Sequence, residues 1–284
     1  MRVACPTRLR RPVAGGPPRE GSVMGSRRVS LVDLGRAVGD GWCAFVRGAV
    51  RGEALLLPGG SLGIGGEPFP DMNYGYVFGP EGVDHAMRRF DRLLRERRLP
   101  GSLAVLSPAA EEAADAAAGL GLVSDGSAPF MCAHAADARH VEHGYAVERV
   151  TDLDGVMDAA DVLGDAYEIS AEWVRSMLGP QFSELPNADL FITRREGRAI
   201  AAAGTGRVGP TVGIYAVGTR LAHRRRGAAA AALSAALDHH VRTGAHLFGL
   251  LSDPDAEALY ASLGFAVVDH AQIWGVEVPG APPG

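Results

Sequence analysis

The chain has 284 residues, of which 47% are hydrophobic, and a formal net charge of −5. That length allows one large domain or two small ones around a real core, and the charge balance gives no reason to expect nucleic acid. The apolar runs are too short to span a bilayer, and all 28 basic residues are arginine, which excludes Schiff-base and lysine-nucleophile chemistry.

Cys5, Cys43 and Cys132 are odd in number and show no CxxC spacing. They fit a reducing, cytoplasmic compartment and offer no metal site. His239 and His240 are neighbours on an expected helix, so they should point in different directions, which argues against zinc. No metal is expected.

Residues 1–26 are rich in Pro, Gly and Arg and have no apolar periodicity. They read as a disordered tail, with Met24 as an alternative start and no signal-peptide core. A short helix is expected over Val29–Val38, then strands at Trp42–Val46 and Glu53–Leu57. The glycines of Gly59–Gly66 do not open a helix, so they read as a hairpin or irregular loop rather than a phosphate cradle. Asn73–Phe78 reads as a strand. Gly82–Arg98 reads as a helix with Val83, Met87, Phe90 and Leu94 on one face. Leu103–Leu106 is an expected strand, Glu111–Ala118 a helix, and Phe130–His134 a strand. No catalytic constellation is visible over 27–143.

His140–Gly144 reads as a linker. Beyond it, Tyr145–Val150 is an expected strand, and Val156–Ala166 and Ala171–Leu178 are expected helices. Leu190–Arg194 and Ala199–Gly206 form an expected hairpin across Glu196-Gly197. Thr211–Thr219 adds a third strand, and a helix follows to about Arg242, with Ala229, Leu233, Leu237 and Val241 as its core stripe. Leu247–Leu251 and Ala266–Val276 are the last strands, and a tail follows from 278 to 284. Leu103–Val123 parallels Leu247–Val268: strand, Ser, acidic-alanine helix, Leu-Gly-apolar, strand.

Two stretches carry chemistry. In the first, the apolar run Val212–Val217 enters a basic turn, Arg224-Arg225-Arg226-Gly227, which opens an alanine-rich helix. A helix start presents unpaired N–H groups and partial positive charge. Gly227 lets a ligand approach the backbone, so the stretch suits a pyrophosphate. The Gly-Lys-Ser/Thr of a nucleotide P-loop is missing, and only one of the three Rossmann glycines is present. In the second stretch, Ser252–Phe265 reads SDPDAEALYASLGF.

Arg224-x-x-Gly227-x-Ala229 resembles the pyrophosphate loop of the GNAT superfamily of N-acetyltransferases. Ala256, Leu259, Tyr260, Gly264 and Phe265 resemble that family's closing signature, in which Asp253 stands where the family has Asn and is by that resemblance an implied cofactor-binding residue. The resemblance covers roughly 145–277. It implies an α+β fold with three layers (α/β/α), in which helices flank a mixed, mostly antiparallel sheet. A catalytic domain over 144–277 would follow a degenerate GNAT-like repeat over 27–143.

The resemblance also implies a function, transfer of an acetyl group from acetyl-CoA to a primary amine of a small molecule or peptide by direct attack. Thr211–Thr219 should splay from Leu247–Leu251, with pantetheine in the gap along Val217, Gly218 and Thr219. The pyrophosphate would lie on the amides of Arg225, Arg226, Gly227, Ala228, Ala229 and Ala230, with charge from Arg224. Tyr260 is the implied acid for the leaving thiolate. Tyr167, Glu168 and Trp173 are acceptor-side candidates by position. No base is evident, and Phe248 stands where some relatives carry Glu. Nucleic-acid and membrane partners are not expected, and a homodimer is left open. The alternative is a non-catalytic acyl-CoA sensor.

Overall fold

The structure is a computed structural model that describes residues 29–141 and 144–278. The basic tail with Cys5, the residues after 278 and part of the expected linker therefore lie outside the described residues. Helix α1 (Leu31–Val46) comes first, capped by the Ser30 side chain, which accepts from the Asp33 amide. The strand expected at Trp42–Val46 is thus the end of this helix. Gly39 and Gly41 look like helix breakers in sequence, but here they let α1 lie against the sheet. A Cβ on Gly39 would stand 2.9 Å from Ser61, and one on Gly41 would stand 2.7 Å from the Tyr215 hydroxyl. Close packing outweighs their poor helix propensity.

The N-terminal half continues with β1 (Glu53–Leu57), β2 (Gly60–Ile64), a 3-10 turn at Pro70–Met72, β3 (Asn73–Val77), α2 (Val83–Arg97), β4 (Gly101–Val105), α3 (Ala110–Leu120) and β5 (Val123–His134). The C-terminal half has β6 (Ala146–Arg149), α4 (Leu153–Tyr167), α5 (Ala171–Leu178), β7 (Ala188–Arg195), β8 (Arg198–Val208) and β9 (Thr211–Thr219). It ends with α6 (Ala228–Arg242), β10 (Leu247–Leu251), a 3-10 turn at Pro254–Ala256, α7 (Glu257–Ser262) and β11 (Ala266–Val276). Among the described residues no helix is long and apolar enough to cross a membrane.

All eleven strands form one sheet in the order β1-β2-β3-β4-β11-β5-β10-β9-β8-β7-β6. Only β3–β4 and β9–β10 are parallel, so the sheet is mixed and mostly antiparallel. The two halves interleave. β11 lies between β4 and β5, and β5 lies between β10 and β11. Each half therefore places its last strand beside the penultimate strand of the other. Sequence order within β4–α3–β5 is repeated in β10–α7–β11, the echo visible in the sequence. β5 begins at Val123, earlier than expected, because its polar start is paired along β11 as far as Gly275.

One apolar cluster joins α1, α4 and α5 to one face of the sheet. Two others join α2 and α3, and α6 and α7, to the opposite face. This is an α/β/α arrangement. α1 touches β2 and β3 as well as β8, β9 and β10. The strands between those groups must curl around it, which brings the ends of the two halves toward each other.

Candidate active site

β9 and β10 pair only over Thr211–Gly213 and Leu247–Gly249, then part. The cause lies in β9. Its pairing with β8 slips between Ala202 and Gly204, and Ala216 takes a positive φ of 49°. An extra residue in one strand bends it away from its neighbour. Backbone groups of Val217, Gly218 and Thr219 thus face an opening at the C-terminal end of two parallel strands. Gly218 lets the end of α4 approach, since a Cβ there would stand 2.8 Å from that of Ala166.

The turn after β9 leads into α6 through Gly227, which has φ 81° and no side-chain cap. Arg225 before it is also left-handed, at φ 62°. Among the described residues, no backbone acceptor outside the helix meets the amides of Arg225–Ala230. Arg225 and Arg226 are exposed. Arg224 instead donates to the Ala166 carbonyl at 2.5 Å, where a cation complements the C-terminus of α4. Beside the turn, Arg195, Arg198, Arg226 and His223, together with Glu196 and Ile200, line a depression of about 300 Å³ with an excess of positive charge. The core stripe of α6 differs from the expected one. Val241 is 38% exposed, while Leu233, Ala236, Leu237 and His240 are buried. A spacing of four drifts around a helix of 3.6 residues per turn.

Tyr260, on α7, is 7% exposed, and its ring meets Phe265 edge-on at 6.0 Å. Burial, and then the negative Asp253, raise its hydroxyl above the ordinary tyrosine value, so it stays protonated at neutral pH. Asp253 caps the 3-10 turn, accepting from the Asp255 amide at 2.8 Å. Tyr167, at the end of α4, donates to the Val217 carbonyl at 3.0 Å and lies near enough to Tyr260, Asp71 and Asp253 for all three to act on it. That carbonyl keeps a second lone pair.

The other acceptor-side candidates lie apart from this group. Glu168 is the exposed, left-handed cap of α4, and Trp173 packs on the α1–α4–α5 core. Phe248 is fully buried, so the position where some relatives carry Glu is core here.

No catalytic constellation was visible in the sequence over 27–143; from that half the charge of Asp71 reaches Asp253 and Tyr167, while Tyr74 and Tyr76 pack on the α1 core. β3 runs antiparallel to β10 across the intervening strands. Its beginning therefore lies at the end of the sheet where β10 finishes. The only sequence signal was an acid just before two tyrosines of one strand.

The N-terminal half has its own glycine at a helix start, Gly82 before α2, with φ 79°. There the approach is blocked. A Cβ on Gly82 would stand 2.7 Å from the Pro58 carbonyl, so the β1–β2 turn covers this helix end. β3 and β4 also stay joined, with the Leu106 amide donating to the Val77 carbonyl at 2.8 Å. Pro58 and Gly59 form that hairpin turn, while Gly60–Ile64 of the glycine stretch is strand β2, so the stretch is part of a hairpin.

Away from the opening, Asp189, His239 and His240 bring ligand atoms within 4.8 Å of one another. The two imidazoles lie edge to face at 5.1 Å rather than pointing apart, because Phe191 packs against both. Burial pushes His240 down to about 4, and its Nε2 lies 2.9 Å from the Thr205 hydroxyl. Arg149 already donates to Asp189 at 2.6 Å, and the Arg149 and Arg207 charges oppose a further cation.

Comparison with known proteins agrees with this geometry. Residues 158–265 match the model of the acetyltransferase (GNAT) family. No curated protein matches the chain. Among solved structures, a GCN5-related N-acetyltransferase from Kribbella flavida is similar at 21% identity and a TM-score of 0.59, covering 86% of this chain and 96% of its own. A tandem GNAT protein from the clavulanic acid biosynthesis pathway is similar at 16% identity and a TM-score of 0.51, covering 79% and 80%. A functionally unknown conserved protein from Staphylococcus epidermidis is similar at 10% identity and a TM-score of 0.55, covering 81% and 95%. At these identities the likeness shows the fold. The match to the acetyltransferase (GNAT) family lies in residues 158–265, and the chain shares the fold of GCN5-related N-acetyltransferases.

Proposed function

We propose that this protein is an acetyl-CoA-dependent N-acetyltransferase acting on a primary amine, with its chemistry in 144–277 and a degenerate repeat in 27–143. The observation that carries the reading is the parting of β9 from β10 beside the uncapped start of α6. A pantetheine arm fits such a gap as an added strand, and a pyrophosphate fits unpaired amides with arginines around them. The basic depression of Arg195, Arg198 and Arg226 suits a further phosphate. Arg224 serves mainly to fasten the turn to α4. We also read the protein as cytoplasmic, since its cysteines suit a reducing compartment.

In the reaction the neutral amine attacks the thioester carbonyl carbon, forming the C–N bond. The C–S bond breaks, and the thiolate takes a proton from the Tyr260 hydroxyl. The amine nitrogen releases its proton to the surroundings, and Tyr260 is restored from water. Incubating pools of primary amines with acetyl-CoA and the protein is expected to add one acetyl mass to at least one amine. Acetyl-CoA binding with no amine gaining mass would favour a binding module instead.

A further inference from the structure

Tyr215 stands one residue before the left-handed Ala216, where β9 begins to part from β10. Along β9, Val212 and Ile214 lie in the core under α6 and α7, and Tyr215 lies in the core under α1, α4 and α5. That is the alternation a strand requires. Ala216 breaks it, because it too packs on the α1 side, and Val217 then returns to the α6 side. Across the pair, Gly204 faces Tyr215 and Ala202 faces Gly218. Ala216 and Val217 therefore stand together against Ala203 alone, which makes a bulge. The φ of 49° at Ala216 is a strained value for a residue with a Cβ. Such backbone persists only where its surroundings fix it.

On the Tyr215 side those surroundings belong to the N-terminal half. The buried Tyr215 ring meets Trp42 and Phe45 of α1 at centroid distances of 5.5 and 5.7 Å. Its hydroxyl donates to the Val38 carbonyl of the same helix. The ring folds back along its own strand over Gly213, where a Cβ would stand 1.8 Å from the hydroxyl. α1 is itself anchored on N-terminal strands. The Trp42 indole N–H donates to the carbonyls of Gly63 on β2 and Tyr74 on β3, each at 3.1 Å. One continuous set of contacts thus runs from β2 and β3, through α1, to the residue before the bulge.

We propose that Tyr215 is a positioning residue for the acyl-CoA gap, and that the N-terminal half holds the gap open by gripping it through α1. The idea rests on the acetyltransferase reading for the ligand, but the bulge can be observed without one. If the grip slackens, β9 leaves its parted form for some of the time, and affinity falls with the fraction that stays competent.

Four full-length proteins decide it: native, Tyr215→Phe, Gly41→Ala and Phe90→Leu. Tyr215→Phe keeps the ring and removes only the tie to Val38. Gly41→Ala favours helix, yet its Cβ would stand 2.7 Å from the Tyr215 hydroxyl and 2.8 Å from the Gly206 carbonyl oxygen, so it pushes α1 off the sheet. Phe90→Leu thins the α2–α3 core on the opposite face and is the control for lost stability. Each protein is measured by calorimetric titration with acetyl-CoA, by amide hydrogen exchange and by thermal unfolding.

Tyr215→Phe and Gly41→Ala are expected to bind acetyl-CoA about threefold more weakly or worse, as a site competent a third of the time would. Their amides over Tyr215–Thr219 should exchange faster than in the native protein, while those of β7 do not change. Phe90→Leu should lower the unfolding temperature and leave both the affinity and that exchange as they are. Tyr215→Phe alone suffices where Gly41→Ala does not fold. Native affinity and exchange in Tyr215→Phe, or an equal loss in Phe90→Leu, overturns the proposal even where acetyl-CoA binds. A native protein that binds no acetyl-CoA overturns the acetyltransferase reading, and the exchange over Tyr215–Thr219 then decides the proposal alone.

Discussion

Tyr260→Phe is expected to lower the turnover rate by at least about tenfold while acetyl-CoA binding stays nearly unchanged. The substitution keeps the ring, its edge-on contact with Phe265 and its place in the α7 core, and removes only the hydroxyl. General acid catalysis is typically worth about 10²–10⁴ in rate. A phenol with an ordinary value of about 10 giving a proton to a thiolate whose acid has about 8.5 is uphill. Burial makes the phenol weaker still. It helps nonetheless as charge grows on sulfur, and a thiolate that leaves unaided would put the loss at the low end. Steady-state rates on any accepted amine read the effect. A Phe variant that keeps the parent rate would make Tyr260 a packing residue.

Gly227→Glu is expected to weaken acetyl-CoA binding by at least an order of magnitude, about 1.4 kcal/mol, with the fold intact. The new side chain adds bulk and negative charge beside the amides of Arg225–Ala230. It also asks a residue with a Cβ to hold φ 81°, which strains the turn. Gly227→Asn separates the two effects, because Asn tolerates the left-handed region and carries no charge. Its affinity should lie between those of the parent and the Glu variant. Unchanged affinity in a folded Glu variant would remove the turn from the binding site.

Much of this was legible in the sequence where pattern and local chemistry coincide. Thr211–Thr219, Leu247–Leu251 and Ala266–Val276 have the bounds that alternation and turn residues suggested, and β9 parts from β10 as the family resemblance implied. Other features were hidden for physical reasons. The end of α1 reads as a strand because its glycines are there for contact with the sheet, not for helix propensity. The exchange of β5 and β11 between the halves could not be read, since both strands have the same pattern and either neighbour would satisfy it.

One acyl-CoA seat per chain is expected, at the gap between β9 and β10, since the equivalent place in the N-terminal half is closed by the Pro58 turn and the joined β3–β4 pair. Calorimetric titration of the intact chain with acetyl-CoA tests this most directly. The predicted result is one equivalent bound per chain, weakened at least tenfold by Gly227→Glu. A stoichiometry of two, or no binding at all, would contradict it.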